Sequence, residues 1–196
     1  FLSELCDVLG VDRPEPAGAE RAHNDYVFER AVRPRSSDSL TAPKRIDLYK
    51  KGAFILEAKQ SRLPGAKNAI PNRLSLLSDQ APEDAETLGQ RSRGPAWDVM
   101  MQNARKQAEG YVFLLDADHP APPFVITCDV GNCLEFFADF TGTGRAYNQY
   151  PDRKGFRIFM EDLRHADVRA RLATIWTDPH SLDPTKTSAR VTREIA

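Results

Sequence analysis

Residues 46–60 read IDLYKKGAFILEAKQ, two short apolar runs separated by Lys-Lys-Gly. Runs of this length, bounded by a glycine break, predict the two strands of a hairpin, Arg45–Lys50 and Phe54–Lys59, and commit the chain to a sheet. Side chains alternate along a strand, so Glu57 and Lys59 share a face with Ile55, while Phe54, Leu56 and Ala58 take the other. In the preceding strand Ile46 and Leu48 share one face, and Arg45, Asp47 and Tyr49 the opposite one. A three-residue loop, Lys51-Gly52-Ala53, sets Asp47 directly across from Glu57 with Cβ atoms about 4.5–5.5 Å apart. A two-residue loop staggers the pair by one position, and in either register the two carboxylates converge.

The elements around the hairpin follow from periodicity. FLSELCDVLG places Leu2, Leu5, Val8 and Leu9 on one helix face and stops at Gly10. Tyr26–Val32 reads as a strand, set off by the turn chemistry of RSSDSLTAP. Pro95 opens a helix whose stripe runs through Trp97, Met101, Ala104, Ala108, Tyr111 and Leu115. PPFVITCDV and CLEFFADF are strands, the second alternating enough to be half exposed. TGTGRAYNQYPDRKG is a loop and Asp167–Trp176 a last short helix. Helix, three strands, helix, two strands and helix add up to an α/β fold, a mixed central β-sheet flanked by helices. Domain limits are expected at 1–24 (helix and loop of the same domain), 25–177 (the main domain) and 178–196 (a linker). Residues 61–94 form a long loop without periodicity, of the kind that is functional or disordered. With Phe1 at the start and VTREIA, like the first turns of an unfinished helix, at the end, the chain is expected to be a piece of a longer polypeptide.

Composition removes several classes. The chain has 196 residues, 41% hydrophobic and 28% charged, which is ordinary for a globular protein. No apolar run reaches the roughly 20 residues of a membrane helix and no signal segment opens the chain, so no membrane partner and a cytoplasmic location are expected. Three cysteines, Cys6, Cys128 and Cys133, are too few for a disulfide framework, and CDVGNC lacks a second ligand pair for zinc. The net charge of −1 offers no overall field for a polyanion. A local patch remains: Arg62, Lys67 and Arg73 in SRLPGAKNAIPNR follow the EAKQ strand, and are balanced between solvated surface and DNA-backbone contact.

Two carboxylates held close repel, and a shared proton or a cation resolves the conflict. Carboxylate oxygens with room for water and phosphate are what Mg²⁺ takes, so Asp47, Glu57 and the Ala58 carbonyl read as metal ligands. Lys59, two residues on, can orient or deprotonate a water or neutralise transition-state charge. The plain alternative is an ordinary cross-strand charge pair. Gln107 and Tyr111 on the long helix lie four apart and share a face; Gln107 is hard to explain as packing, whereas Tyr111 also continues the apolar stripe.

With D-x₉-EAK on adjacent strands and Q-x₃-Y on a later helix, the sequence resembles the PD-(D/E)xK nuclease superfamily. RIDLYKKGAFILEAKQ, NARKQAEGY, ADFTGTGRAYNQYP and IWTDPHSLDP…VTREIA together resemble the amino-terminal domain of MmeI-like restriction-modification enzymes, over most of Tyr26–Ala196. The resemblance implies a restriction-endonuclease-like fold and a Mg²⁺-dependent DNA endonuclease. It assigns Asp47 and Glu57 as metal ligands, Lys59 as the catalytic lysine, and Gln107 and Tyr111 as supporting residues. It implies double-stranded DNA as partner, transient self-association for double-strand cleavage, and further domains in the same polypeptide: a helical connector, an adenine methyltransferase that alone binds S-adenosylmethionine, and a target-recognition domain. The superfamily often adds an acid from the first helix; no residue matches it, Glu29 is a weak substitute that alternation turns to solvent, and the number of metal ions stays open.

Two other classes compete. A catalytically silent fold of the same type, serving as a DNA-binding or interaction module, predicts no divalent dependence. Phe140-Thr-Gly-Thr-Gly144 resembles the loop that cradles S-adenosylmethionine, but no helix pattern follows it and no Asn/Asp-Pro-Pro-Tyr tetrapeptide is present, so it reads as a turn.

Overall fold

The computed structural model describes residues 1–20, 23–33, 43–61 and 94–186. Among these, helix α1 (Leu2–Leu9) precedes β1 (Glu15–Pro16), β2 (Tyr26–Val32), β3 (Lys44–Lys50) and β4 (Phe54–Lys59). After α2 (Pro95–Val112) come β5 (Phe124–Asp129), β6 (Cys133–Ala138), β7 (Asn148–Gln149), β8 (Arg157–Phe159) and α3 (Ala166–Thr177). The strands form one mixed eight-stranded sheet in the order β1 to β7, with β8 pairing β6. β1–β2 and β4–β5 are parallel and the other pairs antiparallel. Most of the long loop, the RSSDSLTAP turn and VTREIA lie outside the described residues.

Helices cover both faces. On one, Leu5 and Leu9 of α1 and Leu172, Ile175 and Trp176 of α3 pack on Leu48, Phe54, Leu56, Phe124 and Ile126. The Phe54 and Trp176 rings lie 4.5 Å apart, and full burial of such side chains contributes about 2–3 kcal/mol each. On the other, Ala108, Tyr111 and Val112 of α2 pack on Tyr49, Ile55, Val125 and Phe137. α1 ends as expected at Gly10, whose φ of 68° is the left-handed C-cap. α2 stops at Val112, and Leu115 continues its stripe from the turn beyond.

Three expectations need correction. β6 is buried along its whole length rather than half exposed: Leu134, Phe136 and Ala138 join one apolar cluster and Phe137 the other, and Glu135, which gave the alternation its polar step, is paired with Arg157 (Nε to Oε1, 2.8 Å). The 141–155 stretch is not all loop, since β7 lies within it, and β7 and β8 share the edge of β6. Ile46 and Leu48 do not share a face: Leu48 packs toward α1 and α3, Ile46 toward α2. The cause is a reversal of parity at the level of Glu29 and Asp47. Glu29 has φ 50°, rare for a residue with a Cβ, and the β2–β3 ladder skips this pair while keeping register on both sides. Tyr26 and Phe28 pack on the α1 side, whereas Val32 faces the α2 side and Arg30 stacks over the Tyr49 ring at 4.7 Å.

Candidate active site

The hairpin adopts the three-residue loop. Leu48↔Leu56, Tyr49↔Ile55 and Lys50↔Phe54 pair, and Gly52 supplies the positive φ of 69° that the turn requires. Continuing this register brings Asp47 level with Glu57, but the strands part there. The Ala58 N–H, which would otherwise extend the ladder, donates instead to Asp47 Oδ2 at 2.7 Å. N–H and C=O of one strand residue leave on the same edge, so the Ala58 carbonyl also faces Asp47. Beside them opens a cleft of about 430 Å³ lined by Leu2, Phe28, Glu29, Asp47, Ala58 and Lys59, among others.

Glu57 is 2% exposed. Its Oε1 accepts from Lys59 Nζ at 2.6 Å, while Oε2 is buried without a hydrogen-bond partner. Burial pushes the Glu57 carboxyl above its ordinary pKa; the Lys59 contact opposes the shift and the charge of Asp47 adds to it. Lys59 Nζ reaches on to Gln107 Oε1 at 3.1 Å, and Gln107 Nε2 donates to the Tyr111 hydroxyl at 2.6 Å. Because the amide nitrogen is committed to Tyr111, its oxygen is the end presented to the lysine. Burial raises the Tyr111 phenol, with the Glu57 and Asp47 charges acting the same way against the Gln107 hydrogen bond, so it keeps its proton. Tyr111 belongs to the core and to the chain of hydrogen bonds at once.

Four of the five side chains singled out from the sequence join directly, Glu57, Lys59, Gln107 and Tyr111 in series from β4 to α2; Asp47 holds the N–H of Ala58, next to Glu57 in the chain, and its charge acts on the Glu57 carboxyl. Arg62, Lys67 and Arg73 lie outside the described residues. Glu29 is exposed and contacts Arg45 at 3.3 Å, and it lines the cleft with Asp47. No sequence signal marks its left-handed conformation. Cys6, Cys128 and Cys133 are buried and none is in a disulfide. The FTGTG segment is a turn tied by Asp139, whose carboxylate accepts from the Thr141, Arg145 and Ala146 N–H groups and the Thr143 hydroxyl. Those N–H groups are spent internally and not turned to a ligand.

The mixed sheet with helices on both faces defines an α/β domain, and a carboxylate–lysine cluster sits where its hairpin opens. The family model described as MmeI, N-terminal domain matches residues 1–196. The chain belongs to that family, the nuclease domain of MmeI-type restriction enzymes. Comparison with curated proteins and with solved structures returned no match. Membership implies a restriction endonuclease, a DNA substrate and a divalent metal. No helix among the described residues is long and apolar enough to cross a membrane.

Among the described residues no three His, Cys, Asp or Glu side chains gather as a ready metal cluster. The fit to a cation rests on two carboxylates. A buried, unpartnered Glu57 oxygen next to a second acid is a donor set that a hard cation satisfies and that leaves a desolvation cost in its absence.

Proposed function

We propose that this domain hydrolyses DNA phosphodiester bonds, with Asp47, Glu57 and the Ala58 carbonyl holding Mg²⁺ and Lys59 as the catalytic lysine. The observation that carries the reading is the orphaned Glu57 Oε2, buried beside Asp47 and one oxygen away from the ammonium group. When bound, Mg²⁺ supplies positive charge that polarises a phosphoryl oxygen and acidifies water. Lys59 holds a proton at Nζ, or passes one, beside the scissile group, and its charge offsets that of the transition state. Gln107 fixes the direction of Nζ, and Tyr111 fixes Gln107. Asp47 contributes twice, as a ligand and as the acceptor that keeps Ala58 turned toward the cleft.

The near-neutral chain, net charge −1, makes few phosphate contacts of its own, so DNA binding by this domain is weak and salt-sensitive. Arg62, Lys67 and Arg73 supply part of it. Residues 25–177 carry the nuclease, 1–24 belong with it, and 178–196 lead toward the methyltransferase and target-recognition domains that place it on DNA. Double-strand cleavage then calls for transient pairing of two such domains. The test is plasmid cleavage with Mg²⁺ by the natural polypeptide beside Asp47→Ala and Lys59→Ala. Loss of cleavage with retained DNA binding supports the assignment; equal cleavage by all three removes these residues from the reaction. Calorimetric titration with Mn²⁺ separates this reading from a silent DNA-binding fold, which takes up no metal at Asp47 and Glu57.

A further inference from the structure

Asp129 is a second buried acid close to the proposed site, and the reaction as described makes no use of it. It closes β5 directly across from Lys59 in the parallel ladder and is fully buried. Its Oδ1 accepts from the Ser61 N–H at 2.9 Å, and its Oδ2 from the Ser61 hydroxyl at 2.9 Å, the Trp97 indole N–H at 2.8 Å and the Asn132 amide at 3.0 Å. Four neutral donors surround one carboxylate, three of them on Oδ2. What they connect is informative. Ser61 stands two residues beyond Lys59, at the exit of β4. Trp97 lies in the first turn of α2, the helix that carries Gln107. One side chain thus ties the end of the lysine strand to the start of the glutamine helix, and the Val130 N–H, next in sequence, holds the Lys59 carbonyl at 2.8 Å.

We infer that Asp129 is a positioning residue for the nuclease site, setting where Lys59 and Gln107 stand relative to each other. The inference rests on the reading of Lys59 given under Proposed function. An Asn at this position keeps size and shape but has one acceptor oxygen. The placement that preserves most bonds keeps oxygen at Oδ2 and turns the amide NH₂ against the Ser61 N–H. That donor–donor contact pushes away the chain two residues from the lysine. Sub-ångström to ångström displacement of a catalytic group costs roughly tenfold to a hundredfold in rate.

The experiment measures single-turnover cleavage, DNA affinity and melting temperature in the natural polypeptide for Asp129→Asn, Ser61→Ala, Trp97→Phe, Asn132→Ala and Lys59→Ala. Ser61→Ala, Trp97→Phe and Asn132→Ala each remove one donor from the same oxygen, but Asn132 lies in the β5–β6 turn and its hydrogen bonds run to Asp129, Cys133 and Met160, not to either catalytic element. The expected result is a roughly tenfold or greater rate loss for Asp129→Asn, a several-fold loss for Ser61→Ala and Trp97→Phe, and an unchanged rate for Asn132→Ala, all with DNA affinity within about twofold. A purely structural role lowers the melting temperatures together and leaves the rates of the folded variants alike. A wild-type rate in Asp129→Asn, or an equal loss in Asn132→Ala, overturns the inference while an inactive Lys59→Ala leaves the nuclease reading intact. Wild-type cleavage by Lys59→Ala overturns both.

Discussion

Replacing Glu57 by Gln should reverse the order of stability between two solution conditions. In chelator, the wild-type protein carries a buried carboxylate oxygen with no partner and a second acid beside it. An unsatisfied buried group of this kind costs about 1–3 kcal/mol. Gln keeps an oxygen that accepts from Lys59 and loses only the charge of the pair, which contributes about 0–1 kcal/mol because Lys59 is 31% exposed; its NH₂ puts a neutral group where the unpartnered anionic oxygen stood and removes the repulsion from Asp47. The net expectation is a variant more stable by about 1–2 kcal/mol, a melting temperature higher by about 2–8 °C for a chain of this length. In Mg²⁺ at about a hundred times its dissociation constant, the wild type gains about 2.7 kcal/mol and the variant, without the anionic ligand, little. The order then inverts. Differential scanning calorimetry in EDTA and in Mg²⁺, with plasmid cleavage alongside, checks both halves. The pH dependence follows from the raised Glu57 pKa. Below the ordinary carboxylate range the acid is protonated in the folded and unfolded wild type alike, and the deficit relative to Gln is absent. As pH rises through the elevated folded-state value, stability is lost and the deficit reaches its full size. A variant less stable in EDTA, by an amount that Mg²⁺ does not change, would refute the reasoning and return Glu57 to the status of an ordinary ion-pair partner.

Two further outcomes are expected. Gly144→Ala places a methyl group at a φ of 67°, 2.7 Å from Val112 Cγ1 and 2.8 Å from Ala121 Cβ; the left-handed backbone and the overpacking together should cost about 2–4 kcal/mol, a fall of about 4–16 °C in melting temperature. Tyr111→Phe keeps the ring in the core and removes the acceptor for Gln107, so stability should change by about 1 kcal/mol or less while the single-turnover cleavage rate falls about 3- to 10-fold.

That Asp47 falls level with Glu57 was legible to within one position, because either turn around Gly52 leaves the two residues opposite or staggered by one; which of the two turns forms was not legible. The Gln107–Tyr111 pair was legible because helical spacing is local. What escaped is non-local. YVFERAV reads as one uninterrupted strand, so nothing in it announces that Glu29 turns left-handed and that Ile46 and Leu48 part company. Glu135 marked β6 as half exposed because the partner that permits its burial, Arg157, lies on a strand too short to show a period. Asp129 looked like an ordinary strand end, and its donors come from Ser61, Trp97 and Asn132, brought together only by the folded sheet.

Helix α2 is gripped at both extremities. Its first turn hangs from Asp129 through the Trp97 indole. Its last residue, Val112, is pressed by the 139–147 knot at Gly144, where only a hydrogen fits. A rod secured at each tip cannot slide lengthwise or tilt as a whole without breaking one of those fastenings. Gln107 and Tyr111 ride on that rod, and the strand end beyond Lys59 is tied to its first turn through the same Asp129.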